Sequence, residues 1–340
     1  MPPKKKDVKK DKKGDDGPDP KQEISRFKKE YVKVSQELQV DPLPLHVGDE
    51  SEVFRKMLMH PQLVKPNAEG VVAPLTPLHT KALIGGLSIY AHLQTLCIWN
   101  ANVQDEGAKA VGAYIAQNRS VTSLEMPDCG IGALGCKAIA GAMERNMTLT
   151  RLCLDYNQIG SAGVEMLGGL RFNRAIKELE LSHCGLTPED GTLLAEGVLL
   201  SATLRVLELR GNELQTKGAM AVLGAIKRGG ALFHCGLAGT GFSCREPEAQ
   251  ALVLDLMTTV ITCCEYDFLG NPLGDGFCYE MLKLTRTHGH LIDIRVCATS
   301  GIDPLLYKQL LDVCAANKKE WIKANKKKKG KKGKKGKKKK

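Results

Sequence analysis

Leu149-Thr150-Arg151-Leu152-Cys153-Leu154-Asp155-Tyr156-Asn157-Gln158-Ile159 is the stretch whose reading decides the fold. Leu152 and Leu154 share a face of a short strand, because side chains alternate along extended backbone. Asn157 follows where the chain must turn, and its amide can pair backbone groups that a turn leaves open. Ile159 returns the chain to an apolar environment. The same spelling recurs on both sides. Copies open at Leu93, Val121, Ile176, Leu204, Leu232, Cys263 and Leu291. Successive starts lie 28, 28, 27, 28, 28, 31 and 28 residues apart, which is the signature of a repeat architecture.

Each unit therefore reads as strand, turn and helix. The turn position is Cys129, Asn157, Cys184, Asn212, Thr240, Asn271 and Thr299 in successive units, with Ala101 departing in the first. Two residues on come Val103, Ile131, Ile159, Leu186, Leu214, Phe242 and Leu273. A helix then opens near Gly107, Gly135, Gly163, Gly191 and Gly218 and turns Val111, Ile139, Leu167 and Val222 inward. One unit cannot bury its own leucines, so the fold exists only as a stack. Each buried aliphatic side chain contributes about 1.5–3 kcal/mol.

The 28-residue period and the Cys/Asn alternation resemble the ribonuclease-inhibitor class of leucine-rich repeats. That resemblance implies an α/β solenoid, a horseshoe with a parallel sheet on the concave side and helices outside. It covers residues 75–303. Upstream we expect a lysine-rich disordered tail over 1–22 and a helical flank over 23–74. In the flank, Ile24, Phe27, Tyr31, Val34 and Leu38 form one stripe at helical spacing. The stripe suits either a cap on the open end of the stack or a docking helix. Residues 75–92 read as the helical half of a degenerate capping unit. Downstream, Leu305, Leu306, Leu310, Leu311 and Val313 mark a C-terminal capping helix over 304–325. Residues 326–340 contain only Lys and Gly, which predicts a disordered tail.

Charge is segregated. Of the net +11, residues 318–340 carry +14 and residues 1–92 carry +3, so 93–317 carry −6. The tails are the polyanion-binding candidates: Lys326, Lys327, Lys328, Lys329, Lys331, Lys332, Lys334, Lys335, Lys337, Lys338, Lys339 and Lys340. Tubulin's acidic tails, RNA and anionic membrane are all suitable surfaces. No run of apolar residues is long enough to span a membrane, and the N-terminus does not read as a signal peptide. Twelve cysteines are then expected as buried free thiols.

Strand positions between the leucines face the concave side. One row is Cys97, Glu125, Cys153, Glu180, Glu208, Gly236, Asp267 and Arg295; the next is Trp99, Pro127, Asp155, Ser182, Arg210, Ala238, Leu269 and Cys297. From these we take Trp99, Glu125, Asp155, Tyr156, Glu180, Glu208, Arg210 and Asp267 as the partner-binding candidates, with Arg210 expected to pair with a carboxylate on the partner. A line of acids repels itself until a cation neutralises it. Three readings stay open: a solvated face, a site for a basic protein segment, or a dock for the chain's own lysine tail.

Other motifs dissolve into the repeat. Gly130, Gly132 and Gly135 spell a dinucleotide motif, but the same turn recurs at Gly160 and Gly163. Asn118-Arg-Ser120 and Asn146-Met-Thr148 spell glycosylation sequons at unit ends, where a structural role is expected. No cysteine or histidine spacing suggests a metal. No catalytic constellation or cofactor motif is present, so the expectation is a binding protein and not an enzyme. The layout is similar to leucine-rich-repeat subunits of ciliary and flagellar axonemes, such as those of the nexin–dynein regulatory complex. That resemblance implies a cytoplasmic, cytoskeletal scaffold. The alternatives are a nuclear or nucleolar RNA-associated protein and, more remotely, a Ran-type GTPase activator. The oligomeric state stays open.

Overall fold

The computed structural model describes residues 19–45, 52–63, 74–229, 231–296 and 302–336, with side chains to Lys326. Nine parallel strands form one open sheet in chain order: β1 (Lys56–Met59), β2 (Thr95–Ile98), β3 (Ser123–Glu125), β4 (Arg151–Cys153), β5 (Glu178–Glu180), β6 (Val206–Glu208), β7 (His234–Gly236), β8 (Glu265–Asp267) and β9 (Asp293–Arg295). The middle residue of each three-residue strand is buried, from Leu124 through Leu152, Leu179 and Leu207 to Ile294. Register is strict: Leu124 pairs with Leu152, and Leu152 with Leu179. The helices α1 (Pro20–Glu37), α2 (Pro77–Leu87), α3 (Gln104–Gln117), α4 (Ala133–Met143), α5 (Gly160–Leu167), α6 (Pro188–Glu196), α7 (Gln215–Gly229), α8 (Pro247–Thr259), α9 (Asp275–Thr287) and α10 (Pro304–Gly336) complete the order.

The Asn/Cys alternation has a hydrogen-bonding cause. Asn157 Oδ1 accepts from the backbone N–H of Cys129 and Ile131, at 3.0 Å each. Its Nδ2 donates to the carbonyls of Met126 (2.8 Å) and Leu154 (2.9 Å). One asparagine thus serves its own turn and the preceding one. Asn212 and Asn271 repeat the arrangement. The intervening unit then needs only a small donor, and Cys129 and Cys184 give theirs to Ile98 O and Leu154 O. A second ladder stands at the helix ends. The Asn146 amide donates to Ile115 O (2.7 Å) and Asn118 O (3.0 Å), and Asn173 to Met143 O (2.6 Å). Asn146 is fully buried, so that sequon is structural, as expected.

Glycine sets the helix spacing at one seam. A Cβ on Gly191 of α6 would lie 2.5 Å from the Cα of Gly218 in α7, so these helices approach backbone to backbone. No helix among the described residues is long and apolar enough to cross a membrane.

The flanks depart from the sequence expectation in three ways. First, the segment 23–74 is not purely helical: Lys56-Met57-Leu58-Met59 forms β1, with Met57 and Met59 buried. The sheet therefore begins at Lys56, ahead of residue 75, and β1 with α2 makes the capping unit. α1 is packed on that unit. Phe27 meets Phe54 and Tyr90 at ring distances of 5.2 and 5.9 Å, and Tyr31 Oη accepts from Leu43 N at 2.7 Å. Its stripe is spent on the cap, and the helix starts at Pro20, N-capped by Asp19. Second, Leu305 and Leu311 are exposed, whereas Leu310 and Cys314 bury against the last unit; a helix of that phase presents only one stripe inward. Third, the backbone of α10 continues through 326–336 as helix, consistent with the good helix propensity of lysine. Thr299, Cys297 and Lys337 to Lys340 lie outside the described residues.

Candidate functional site

The first and third residues of each strand face the concave side, and there the charges are mostly paired within the chain. Arg151 on β4 reaches Glu180 (2.9 Å), Glu125 (3.3 Å) and Glu178 (3.7 Å). His234 on β7 lies between Glu208 (2.6 Å) and Glu265 (3.1 Å). Burial alone would lower the His234 pKa, but contact with these two carboxylates and their charge outweigh it and raise the pKa to about 9. Arg210 pairs with Asp267 at 2.7 Å. Arg295 meets Asp293 (3.0 Å) and Asp267 (3.7 Å), and Lys318 from α10 reaches Asp293 (3.7 Å) and Glu265 (4.0 Å). Trp321 follows and meets Phe233 at 5.7 Å, so α10 packs under the last three strands.

This overturns two expectations. Asp267 is fully buried and cannot meet a partner, because two arginines and the Leu269 N–H cover it. Arg210 is held by Asp267, and does not wait for a partner's carboxylate. The acidic stripe is also not uniform. From Glu208 onward four carboxylates (Glu208, Glu265, Asp267 and Asp293) meet four cations (Arg210, His234, Arg295 and Lys318). Around β3–β5 three carboxylates (Glu125, Glu178 and Glu180) share Arg151, and Asp128 and Asp155 have no ion-pair partner among the described residues. Negative charge therefore accumulates in the N-terminal half. Asp155 is half-buried and accepts from Ser182 N at 2.7 Å; burial, opposed by that bond but assisted by Glu180, raises its pKa.

The rim where these strands end carries the aromatic groups. Trp99 is 49% exposed and packs on His60 at 4.5 Å. Tyr156 is 56% exposed and stacks on His183 at 4.6 Å. Both Tyr156 (φ 59°) and His183 (φ 54°) have left-handed backbone. The repeat demands it. In this column the N–H of Asp128, Tyr156, His183, Gly211 and Gly239 each donates to a carbonyl of the next unit. Gly211, Gly239 and Gly270 fill the column in the C-terminal half, while Asn100, Asp128, Tyr156 and His183 fill it in the N-terminal half. A bulky residue there costs about 1–2 kcal/mol.

Of the residues singled out in the sequence, the structure places Glu125, Glu180 and Glu208 on this face and Trp99, Asp155 and Tyr156 beyond the strand ends at its rim; Arg151, Glu178, His183 and His234 were not among them. The signal was present: Arg151, Glu178 and His234 hold the first strand position, two residues before the row that was read and facing the same way, and His183 stands one repeat after Tyr156. Cys153, Asp155 and Glu180 place ligand atoms within 4.8 Å of one another. Their oxygens are already engaged by Arg151 and Ser182 N, and burial raises the Cys153 pKa far above the usual thiol range, so the trio is a poor metal site. The eleven described cysteines are free, ten of them buried. Of the lysine candidates, Lys326 is exposed on α10, and the side chains from Lys327 onward lie outside the described residues.

A family model described as Leucine Rich repeat matches residues 117–140, 145–168, 172–195 and 200–223. The chain is 31% identical over 157 residues to human NACHT, LRR and PYD domains-containing protein 13, covering 45% of this chain and 15% of that protein. It is 26% identical over 237 residues to the ribonuclease inhibitor of Sus scrofa, covering 68% of this chain and 51% of the inhibitor. A Listeria monocytogenes internalin structure aligns with a TM-score of 0.42 at 17% identity, over 66% of this chain and 54% of that one. The chain thus spans about half the inhibitor and a small part of the larger relative. Strand–turn–helix units of near-constant length, joined by alternating Asn and Cys ladders, make this fold a leucine-rich-repeat solenoid similar to that of the ribonuclease-inhibitor type.

Proposed function

We propose that this protein is a non-enzymatic scaffold that captures a basic protein segment on the N-terminal half of its concave face, around β2–β5. The observation that carries the reading is the coincidence there of unneutralised carboxylates with exposed aromatic side chains held in a costly backbone conformation. Side chains kept in αL where glycine would be easier point to a use outside folding. A lysine or arginine from the partner would find carboxylates at Glu125, Asp155 and Glu180 and an aromatic face at Tyr156. Tyr156→Gly gives opposite signs for folding and binding. Its stability is unchanged or rises by up to about 1 kcal/mol, while affinity for the captured partner falls roughly tenfold, about 1.4 kcal/mol. Calorimetry and a binding titration on full-length protein measure the two; undiminished affinity would remove this rim from the site.

The lysine-rich ends serve as a second grip, on a polyanionic surface such as tubulin tails, and place the scaffold on the ciliary axoneme. The alternative is RNA in the nucleus or nucleolus. A tagged copy in detergent-extracted ciliated cells is expected to stay on the axoneme and to be lost when residues 326–340 are removed. Nucleolar accumulation would replace the axonemal reading with the RNA one.

A further inference from the structure

The edge from which the strands start has a different character from the rim. α5 and α6 end early, and the chain continues in short 3-10 turns over Gly168–Phe172 and Val198–Leu200. The two turns lie together where the backbones of Gly168 and Gly197 approach. Their last residues are thrown outward: Phe172 is 72% exposed and Leu200 58%, and Met147 of the preceding loop 56%. Hydrogen bonds stack these loops, from the Asn173 amide to Asn146 O (2.9 Å) and from Thr203 Oγ1 to Asn173 O (3.3 Å). The three apolar side chains therefore sit on successive, connected turns.

Cations surround them. Arg145, Arg171, Arg174, Lys177 and Arg205 are all exposed on these loops and strand entries. Arg171 lies 4.6 Å over the Phe172 ring. None of the five takes part in an ion pair among the described residues, although Arg205 donates to the carbonyls of Ala202, Leu204 and Ala231; some cations of the helical surface are paired, as in Lys81–Glu106 and Lys217–Glu189. The acids nearest along the chain are Glu144, Glu178 and Glu196.

We propose that this edge is a docking surface for an anionic lipid bilayer, with Phe172, Leu200 and Met147 entering the headgroup–acyl boundary and the five cations meeting lipid phosphates and carboxylates. The apolar groups protrude, as insertion into a fluid interface requires; recognition of an amphipathic helix needs a groove, where anchors are received. Unpaired cations beside them supply the complementary charge. The surface lies at the opposite sheet edge from Tyr156, so lipid and protein partner do not compete.

The test must separate this edge from the lysine tail, which also attracts anionic vesicles. Full-length Phe172→Trp is mixed with phosphatidylcholine–phosphatidylserine vesicles containing brominated acyl chains, and wild-type emission from Trp99 and Trp321 is subtracted. Position 172 is expected to shift to shorter wavelength and to be quenched. Leu200→Ser with Arg171→Glu and Arg174→Glu in that background should weaken binding roughly tenfold. Sedimentation with vesicles but no quenching at position 172 would assign all lipid binding to the tail and overturn the proposal, as would failure to bind at low salt. An equal spectral shift with soluble polyglutamate would overturn it in favour of an acidic polypeptide.

Discussion

Asn157→Ala is expected to destabilise the solenoid by about 3–5 kcal/mol, more than its single side chain suggests. Four buried backbone groups lose their partner at once: the N–H of Cys129 and Ile131 and the carbonyls of Met126 and Leu154. An orphaned buried polar group costs about 1–3 kcal/mol, and the losses are not additive because the turn relaxes. Damage crosses a unit boundary, since three of those four groups, on Cys129, Ile131 and Met126, belong to the unit before. Cys129→Ala removes a weaker donor and is expected to cost about 1 kcal/mol. Equilibrium urea unfolding of the two variants measures the contrast. A loss below 1 kcal/mol for Asn157→Ala would mean that water replaces the amide and that the ladder does not bind the units together.

The second large effect is a loss of stability with rising pH that depends on His234. Its folded pKa, about 9, stands above the unfolded value of 6.5. The folded state therefore holds a proton that the unfolded state gives up. Stabilisation is fully present below about pH 6.5 and is lost as pH rises through about 9. The difference corresponds to roughly 3 kcal/mol or slightly more. His234 bridges Glu208 and Glu265 across three strands, so losing its charge leaves two half-buried carboxylates facing one another. Wild-type protein is expected to lose thermal stability between pH 6.5 and 9, while His234→Gln is less stable at pH 6.5 and nearly flat across the window. Parallel curves for the two proteins would show that this histidine does not hold a proton in the fold.

Repeat arrays are legible because each position answers to the same neighbours one period away. Leu152 could be assigned to the core from spacing alone, since Leu124 and Leu179 occupy the same place in the adjacent strands. Asn157 could be assigned to backbone pairing for the same reason. β1 escaped because Lys56 pairs with Thr95, well outside the period, and because methionines replace its leucines. The concave row escaped in part for another reason. Which acid finds a cation depends on distances across strands, and Arg151 on β4 reaches three carboxylates on the two flanking strands. A row read one position at a time shows acids and hides their partner.

The sequence by itself determined the solenoid, its units from Leu93 onward, the turn ladders and the segregation of lysine to the ends. Those follow from side-chain periodicity and local hydrogen-bonding need, which act within one unit and repeat. The tertiary structure alone decided that Asp267 is buried, that negative charge persists around β3–β5, that Tyr156 stands in αL on an exposed rim, and that Phe172 and Leu200 are exposed on adjacent turns of one edge. Each depends on the close approach of residues from different units, where burial and Coulomb energy are set by separations of a few ångströms that spacing along the chain does not encode.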